Sequence, residues 1–154
     1  MVGLLVGAYA LLPLRGERWW LGALIGTALV LAMVPVTVHR VRKVLRSDRP
    51  GVEAFETLVL LVTMLVTGFA AVYYAMDRDQ DQFSGLVTRI DGIYFTVTTL
   101  STVGFGDITA TGQAARVVVT VQILFNAAFV GVVVRVLIGA ARRAGKDAAT
   151  RDAL

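Results

Sequence analysis

A chain of 154 residues that is 56% hydrophobic and only 17% charged falls well below the soluble average of about 25% charged residues, which excludes an ordinary water-soluble domain. With no cysteine and a single histidine, His39, it offers no disulfide, no thiolate metal site and no His-assisted nucleophile, so an enzyme is not expected. The net charge of +4 comes from basic residues beside long apolar runs, where the positive-inside tendency accounts for them, and nucleic acid is not an expected partner.

The first apolar run, 2–14, would cover only about 20 Å as a helix against a hydrocarbon core of roughly 30 Å. It reads as a short retained helix. The rival reading is a secretory signal cleaved near Ala8-Tyr9-Ala10, although the basic leader of such signals is missing. Arg15, Glu17 and Arg18 then make a polar turn, and Trp19 and Trp20 stand as interface anchors at the start of a second span, 19–38. Residues 1–38 form a transmembrane hairpin in this reading, with Gly3/Gly7 and Gly22/Gly26 spaced for close helix approach and Pro35 bending the second helix.

Residues 39–53 carry Arg40, Arg42, Lys43, Arg46 and Arg49 and read as a cytoplasmic linker. The third span, 54–76, therefore runs outward and ends in the acidic tract Asp77, Asp79, Asp81. A shorter apolar piece at 90–100 re-enters the membrane without crossing. The last span, 114–139, returns inward to Arg142, Arg143, Lys146 and Arg151, so both termini are expected in the cytoplasm. The fold class is an all-α integral membrane protein with four transmembrane helices and one re-entrant segment.

Between the last two spans lies Thr98-Thr99-Leu100-Ser101-Thr102-Val103-Gly104-Phe105-Gly106-Asp107. Its second half resembles the selectivity-filter signature of the potassium-channel family, with phenylalanine in place of the usual tyrosine. The resemblance covers 54–139 and leaves 1–53 without a match. It implies a pore domain made of an outer helix 54–76, a pore helix 91–101, a filter 102–107 and an inner helix 114–139, followed by a short tail at 140–154. A dehydrated cation needs a cage of oxygens, which backbone carbonyls supply, and Gly104 and Gly106 reach the mirror-image backbone angles that aim successive carbonyls at one axis. Each chain contains one such segment, so a homotetramer follows from the motif.

By the same resemblance, K+ as permeant ion is held by Thr102, Val103, Gly104, Phe105 and Gly106, and no cofactor is required. Asp107 stands where a related non-selective channel carries asparagine, which favours potassium selectivity. Thr98 occupies a position where a bacterial relative has a glutamate paired with the aspartate. Tyr94 and Phe95 fill two aromatic pore-helix positions, and the Tyr94 hydroxyl is expected to reach Asp107 and support the filter.

Alignment on Asp107 puts Arg116 on a common inner-helix arginine and Asn126 where many members have a hinge glycine. Asn126 is then either a cavity-lining residue or an interhelical hydrogen-bond donor, and Gly131 is either a packing point or a bend near the gate. Arg135 is expected to snorkel or to pair with Glu53 or Glu56. Arg40, Lys43, Arg46 and Arg49 recur every third residue, as in a voltage-sensing helix, but Ser47-Asp48-Arg49-Pro50 is too polar for lipid. Anionic headgroups at Arg40, Arg42, Lys43 and Arg46 are the expected contact. The acidic tract is either a solvated loop or a cation-concentrating mouth. The short tail leaves a regulatory ligand-binding domain unexpected. Two alternatives remain beside a potassium-selective subunit: a weakly selective cation channel, and a non-conducting membrane interaction subunit. The implied location is the cell membrane, in a prokaryote the inner membrane.

Overall fold

The computed structural model describes residues 19–46 and 50–151, together with Gly3 and Gly7. Apart from those two glycines, the expected span 2–14 lies outside the described residues, as do the polar turn 15–18, Arg49 and the side chains of Trp19, Trp20, Arg46, Asp79, Arg142, Arg143, Lys146 and Arg151. In chain order the described elements are α1 (Trp19–Arg46), α2 (Pro50–Gln80), β1 (Phe83–Ser84), α3 (Arg89–Leu100), β2 (Thr109–Ala110) and α4 (Gln113–Arg151). Among the described residues three helices are long and apolar enough to cross a membrane, over Leu24–Val44, Gly51–Asp77 and Gln113–Gly131. The architecture is the all-helical membrane type that the apolar runs dictate.

The first two helices differ from expectation at their junction. α1 runs unbroken through Pro35 to Arg46, so the basic residues of the expected linker at 39–46 sit on helical turns. Packing explains the extension: Val44 is buried against the rest of the chain, and Lys43 pairs with Glu53 of α2 at 2.8 Å. α2 then starts at Pro50, where proline's missing N–H is no loss because the first-turn donors of a helix have no intrahelical acceptor. Glu53 is therefore engaged by Lys43, not by Arg135.

α1 and α2 cross where glycine meets glycine. A Cβ on Gly26 would fall 2.8 Å from the Gly68 carbonyl oxygen, and one on Gly68 would meet Val30 at 3.0 Å. In lipid, where apolar helices gain little from merely being apolar, such backbone contact is what holds them together. The small-residue spacing thus serves α1 against α2. Neither Gly3 nor Gly7 has a neighbour within 4 Å of where its Cβ would lie.

α2 is the central element, buried for most of its span, whereas α1 and α4 leave most of theirs open. Its Leu61, Leu65, Phe69 and Tyr73 join Phe83, Phe95 and Phe129 in one core. Tyr73, Phe83 and Phe95 meet edge to face with centroids 5.2 to 5.5 Å apart, the arrangement that ring quadrupoles favour. They bring α2, β1 and α3 to a single point.

The two short strands fasten the segment before α3 to the segment after residue 107. β1 and β2 pair antiparallel with Phe83 opposite Ala110 and Ser84 opposite Thr109. The Gln82 carbonyl accepts from the N–H groups of Thr111 and Gly112 at 3.0 and 3.1 Å, while its side-chain oxygen accepts from Ala115 N–H at 3.3 Å. That contact satisfies one of the donors left open in the first turn of α4. Asp77 is also structural: its carboxylate accepts from Phe83 N–H at 2.8 Å, and α2 extends past Asp79 to Gln80, one residue short of Asp81.

Candidate functional site

α3 presents the 101–107 segment. It begins with a reciprocal cap, in which Thr88 Oγ1 accepts from Asp91 N–H at 3.2 Å and the Asp91 carboxylate accepts from Thr88 N–H at 2.6 Å. The same carboxylate accepts from Val87 N–H at 3.0 Å. The Thr88 backbone donor above all holds the Asp91 carboxyl below the usual carboxylate range; burial opposes it, and the Val87 donor and the Thr88 hydroxyl add to it.

The C-terminal end of α3 is finished by the chain that follows it. Ser101 N–H donates to Val97 O at 2.9 Å and Thr102 N–H to Thr99 O at 3.2 Å, and both Val103 and Gly104 donate to Thr98 O, at 2.9 and 3.3 Å. The carbonyls that end a helix otherwise lack donors. Here they hold the N–H edge of the next segment against the helix.

Backbone handedness alternates along that segment. Thr102, Gly104 and Gly106 have φ of 60°, 53° and 81°, while Val103 and Phe105 are absent from the positive-φ set. Alternation of this kind gathers successive N–H groups on one side of a chain, and so turns the carbonyls to the other. The N–H groups of Thr102, Val103 and Gly104 face α3, so the carbonyls of those same trans peptides face away from it, on a segment exposed from Ser101 to Asp107. Around Gly104 and Gly106 there is nothing within 4 Å of a Cβ, so handedness, not crowding, is what demands glycine. Thr102 was not expected in this set. A β-branched residue there costs about 1–2 kcal/mol, the kind of strain that persists where the surrounding structure enforces it.

Tyr94 clamps the far end of the segment. Its hydroxyl lies beside the Asp107 carboxylate, and its ring stacks on Phe105 with centroids 6.3 Å apart and planes 6° from parallel. Thr98 contributes differently from what its position suggests. Its hydroxyl donates to Phe95 O at 3.0 Å, so its support for the segment comes through its own carbonyl.

α4 touches α3 through two buried amides. Asn126 is 4% exposed and donates from Nδ2 to Thr99 O at 3.4 Å. Of the two expectations for Asn126, the interhelical bond is the geometry found within one chain. Gln122, which sequence reasoning missed, is fully buried. It donates from Nε2 to Thr96 O at 3.3 Å and accepts the Tyr73 hydroxyl proton on Oε1. The available signal was an amide in a mostly apolar stretch, one turn before Asn126. Gly131 has open space where its Cβ would be on a helix that continues past it to Arg151, so within one chain it is neither crossed nor hinged. Arg116 donates from Nε to Ala110 O at 3.1 Å, and Arg135 is exposed. Among the described residues no cluster of acidic or histidine side chains is placed to hold a metal ion.

A helix that re-enters the fold, a strand of alternating handedness after it, and two long apolar helices on either side make a module that the family described as "Ion channel" matches over residues 60–143. The chain belongs to this ion-channel family. That places it among potassium-channel-type pore modules, as the residue motif led one to expect, and sets it apart from enzymes. The calcium-activated potassium channel slo-1 of Caenorhabditis elegans is 30% identical over 117 residues, 73% of this chain and 10% of that protein. The two pore potassium channel b of Oryza sativa subsp. japonica is 37% identical over 75 residues, 47% of this chain and 20% of its own. The chain therefore spans only a fifth or less of either relative. No solved structure matches it.

Proposed function

We propose that four copies of the chain form a potassium-selective pore in the cell membrane. The observation that carries this reading is the alternating handedness at Thr102, Gly104 and Gly106, with N–H groups turned to α3 and carbonyls turned away. Four such strands around an axis supply stacked rings of carbonyl oxygens from Thr102, Val103, Gly104, Phe105 and Gly106 that replace the hydration shell of K+. K+ is cargo, and no cofactor takes part. The potassium-channel relatives favour K+ over other cations, as does Asp107.

In a single chain Ile90, Val97 and Phe105 are 74%, 44% and 70% exposed. Neighbouring copies would cover these large apolar groups, and a homotetramer is the assembly that also completes the ion rings. α1, with Arg40, Arg42, Lys43 and Arg46 on its last turns, would stand at the periphery with these residues near anionic headgroups on the cytoplasmic side, where both termini lie.

Flux from liposomes loaded with potassium, repeated with sodium and with barium added, tests conduction and selectivity in one preparation. Barium-sensitive potassium flux without sodium flux is the expected result. Equal flux of both ions would replace the reading with a weakly selective cation channel, and silence from verified tetramers would favour a non-conducting subunit.

A further inference from the structure

One turn apart on α4, Gln122 and Asn126 each donate into a carbonyl of α3, Thr96 O at 3.3 Å and Thr99 O at 3.4 Å. Both are buried, at 0% and 4% exposure, in a stretch whose other residues are mostly apolar. A buried amide is unfavourable unless bonded, and packing alone would be served as well by leucine or valine. The position of the two donors is therefore informative. They reach the same last turns of α3 whose Thr98 and Thr99 carbonyls receive Val103, Gly104 and Thr102 N–H from the other side. α4 holds the platform, and the platform holds the 102–106 strand.

The Gln122 amide has a defined direction. Its oxygen accepts from Tyr73 Oη on α2, and its nitrogen donates to Thr96 O; a flipped amide would set its oxygen against the Thr96 carbonyl oxygen, two acceptors with no hydrogen between them. Tyr73 thus orients Gln122, and three helices meet at one side chain. Asn126 shares the task at Thr99, with its Oδ1 buried and unbonded.

We infer that Gln122 and Asn126 are positioning residues for ion selection, fixing the depth and rotation of α3 and through it the spacing of the 102–106 carbonyls, with Tyr73 setting the direction of the Gln122 amide. This rests on the reading of 102–106 as the ion path. Because carbonyl spacing decides how well the rings match a dehydrated ion, loosening the platform changes which ion passes before it changes whether the tetramer forms.

The test uses the full chain in liposomes, with the K+/Na+ permeability ratio and the thermal stability of the tetramer measured on the same preparations. Gln122→Met keeps length and volume but removes both hydrogen bonds; Tyr73→Phe removes only the orienting hydroxyl; Ile123→Met, on the exposed side of α4, is the control. The ratio is expected to fall about tenfold in Gln122→Met, where both buried hydrogen bonds are lost, less in Tyr73→Phe, and not at all in Ile123→Met. The double variant should be no worse than Gln122→Met alone, since the hydroxyl acts through the amide. A selective wild type whose ratio survives Gln122→Met within about twofold, with stability alone reduced, overturns this inference and leaves the ion path standing. A wild type that passes sodium as readily as potassium overturns both. Should Gln122→Met fail to assemble, an unchanged ratio in Tyr73→Phe decides against the inference and a reduced one decides for it.

Discussion

The Tyr73 hydroxyl on α2 donates to the Gln122 side-chain oxygen on α4, 49 residues further along the chain. Both residues are essentially fully buried. Replacing Tyr73 with phenylalanine leaves an amide oxygen without a donor in a site closed to water, which costs about 1–3 kcal/mol. Tyr73→Phe should lower the thermal midpoint of the protein in detergent while leaving its helical circular dichroism intact. An unshifted midpoint would mean that the two groups gain nothing from each other.

The α1–α2 crossing depends on bare backbone at Gly26. A valine there would drive its Cβ into the Gly68 carbonyl, 2.8 Å away, and into Val72 at 2.9 Å. Gly26→Val should separate the helices and destabilise the protein by about 1–3 kcal/mol, as overpacking does elsewhere. Cysteine cross-linking between α1 and α2 positions checks it: efficiency should drop in the variant and stay unchanged in Gly51→Ala, where the added Cβ meets nothing within 4 Å.

Alanine at Gly104 or Gly106 tests handedness without a packing change, because both sites are open and their φ values are 53° and 81°. The penalty is about 1–2 kcal/mol for each left-handed alanine, small against the stability of the assembled helices. Either variant should therefore assemble normally and yet lose potassium-selective flux. Selective flux retained by both would rule out the left-handed turns as a requirement of the ion path.

Tyr94→Phe keeps the ring that stacks on Phe105 and deletes the hydroxyl beside Asp107. Only the tie across the outer end of the segment is lost. Inactivation during sustained current should quicken in the variant. Equal inactivation in the two proteins would argue that this contact does not steady the filter.

The Asp91 cap gives a pH dependence with a definite sign. Its carboxyl is held below the ordinary value by the Thr88 backbone donor and then the Val87 donor. The stabilising contribution is thus present above the ordinary aspartate pKa of about 4 and is lost as pH falls through the lowered folded value. Between neutral pH and about pH 3, wild type should lose more thermal stability than Asp91→Asn, whose cap does not titrate. Parallel acid profiles would assign the acid sensitivity to other carboxylates.

Composition and the lengths of the apolar runs were enough to determine a helical membrane protein, because a bilayer leaves a spanning chain little choice but to bond its own backbone. The six residues from Thr102 to Asp107 were enough to point to the site, since only glycine takes left-handed angles freely and the spacing of Gly104 and Gly106 is thereby written in the sequence. Thr102 shares the left-handed set without any such mark, for its side chain resists the conformation that its neighbours enforce.

What only the tertiary structure decided are the pairings between segments distant in the chain. Gly26 meets Gly68, Lys43 meets Glu53, and Gln122 joins Tyr73 to Thr96. A lone polar residue in an apolar run signals that a partner is needed, because an unbonded amide in hydrocarbon is costly. It does not say which of several hydroxyls or carbonyls is the partner. That choice follows from how three helices cross, and the crossing is set by contacts summed over whole helix faces, which no local pattern of residues contains.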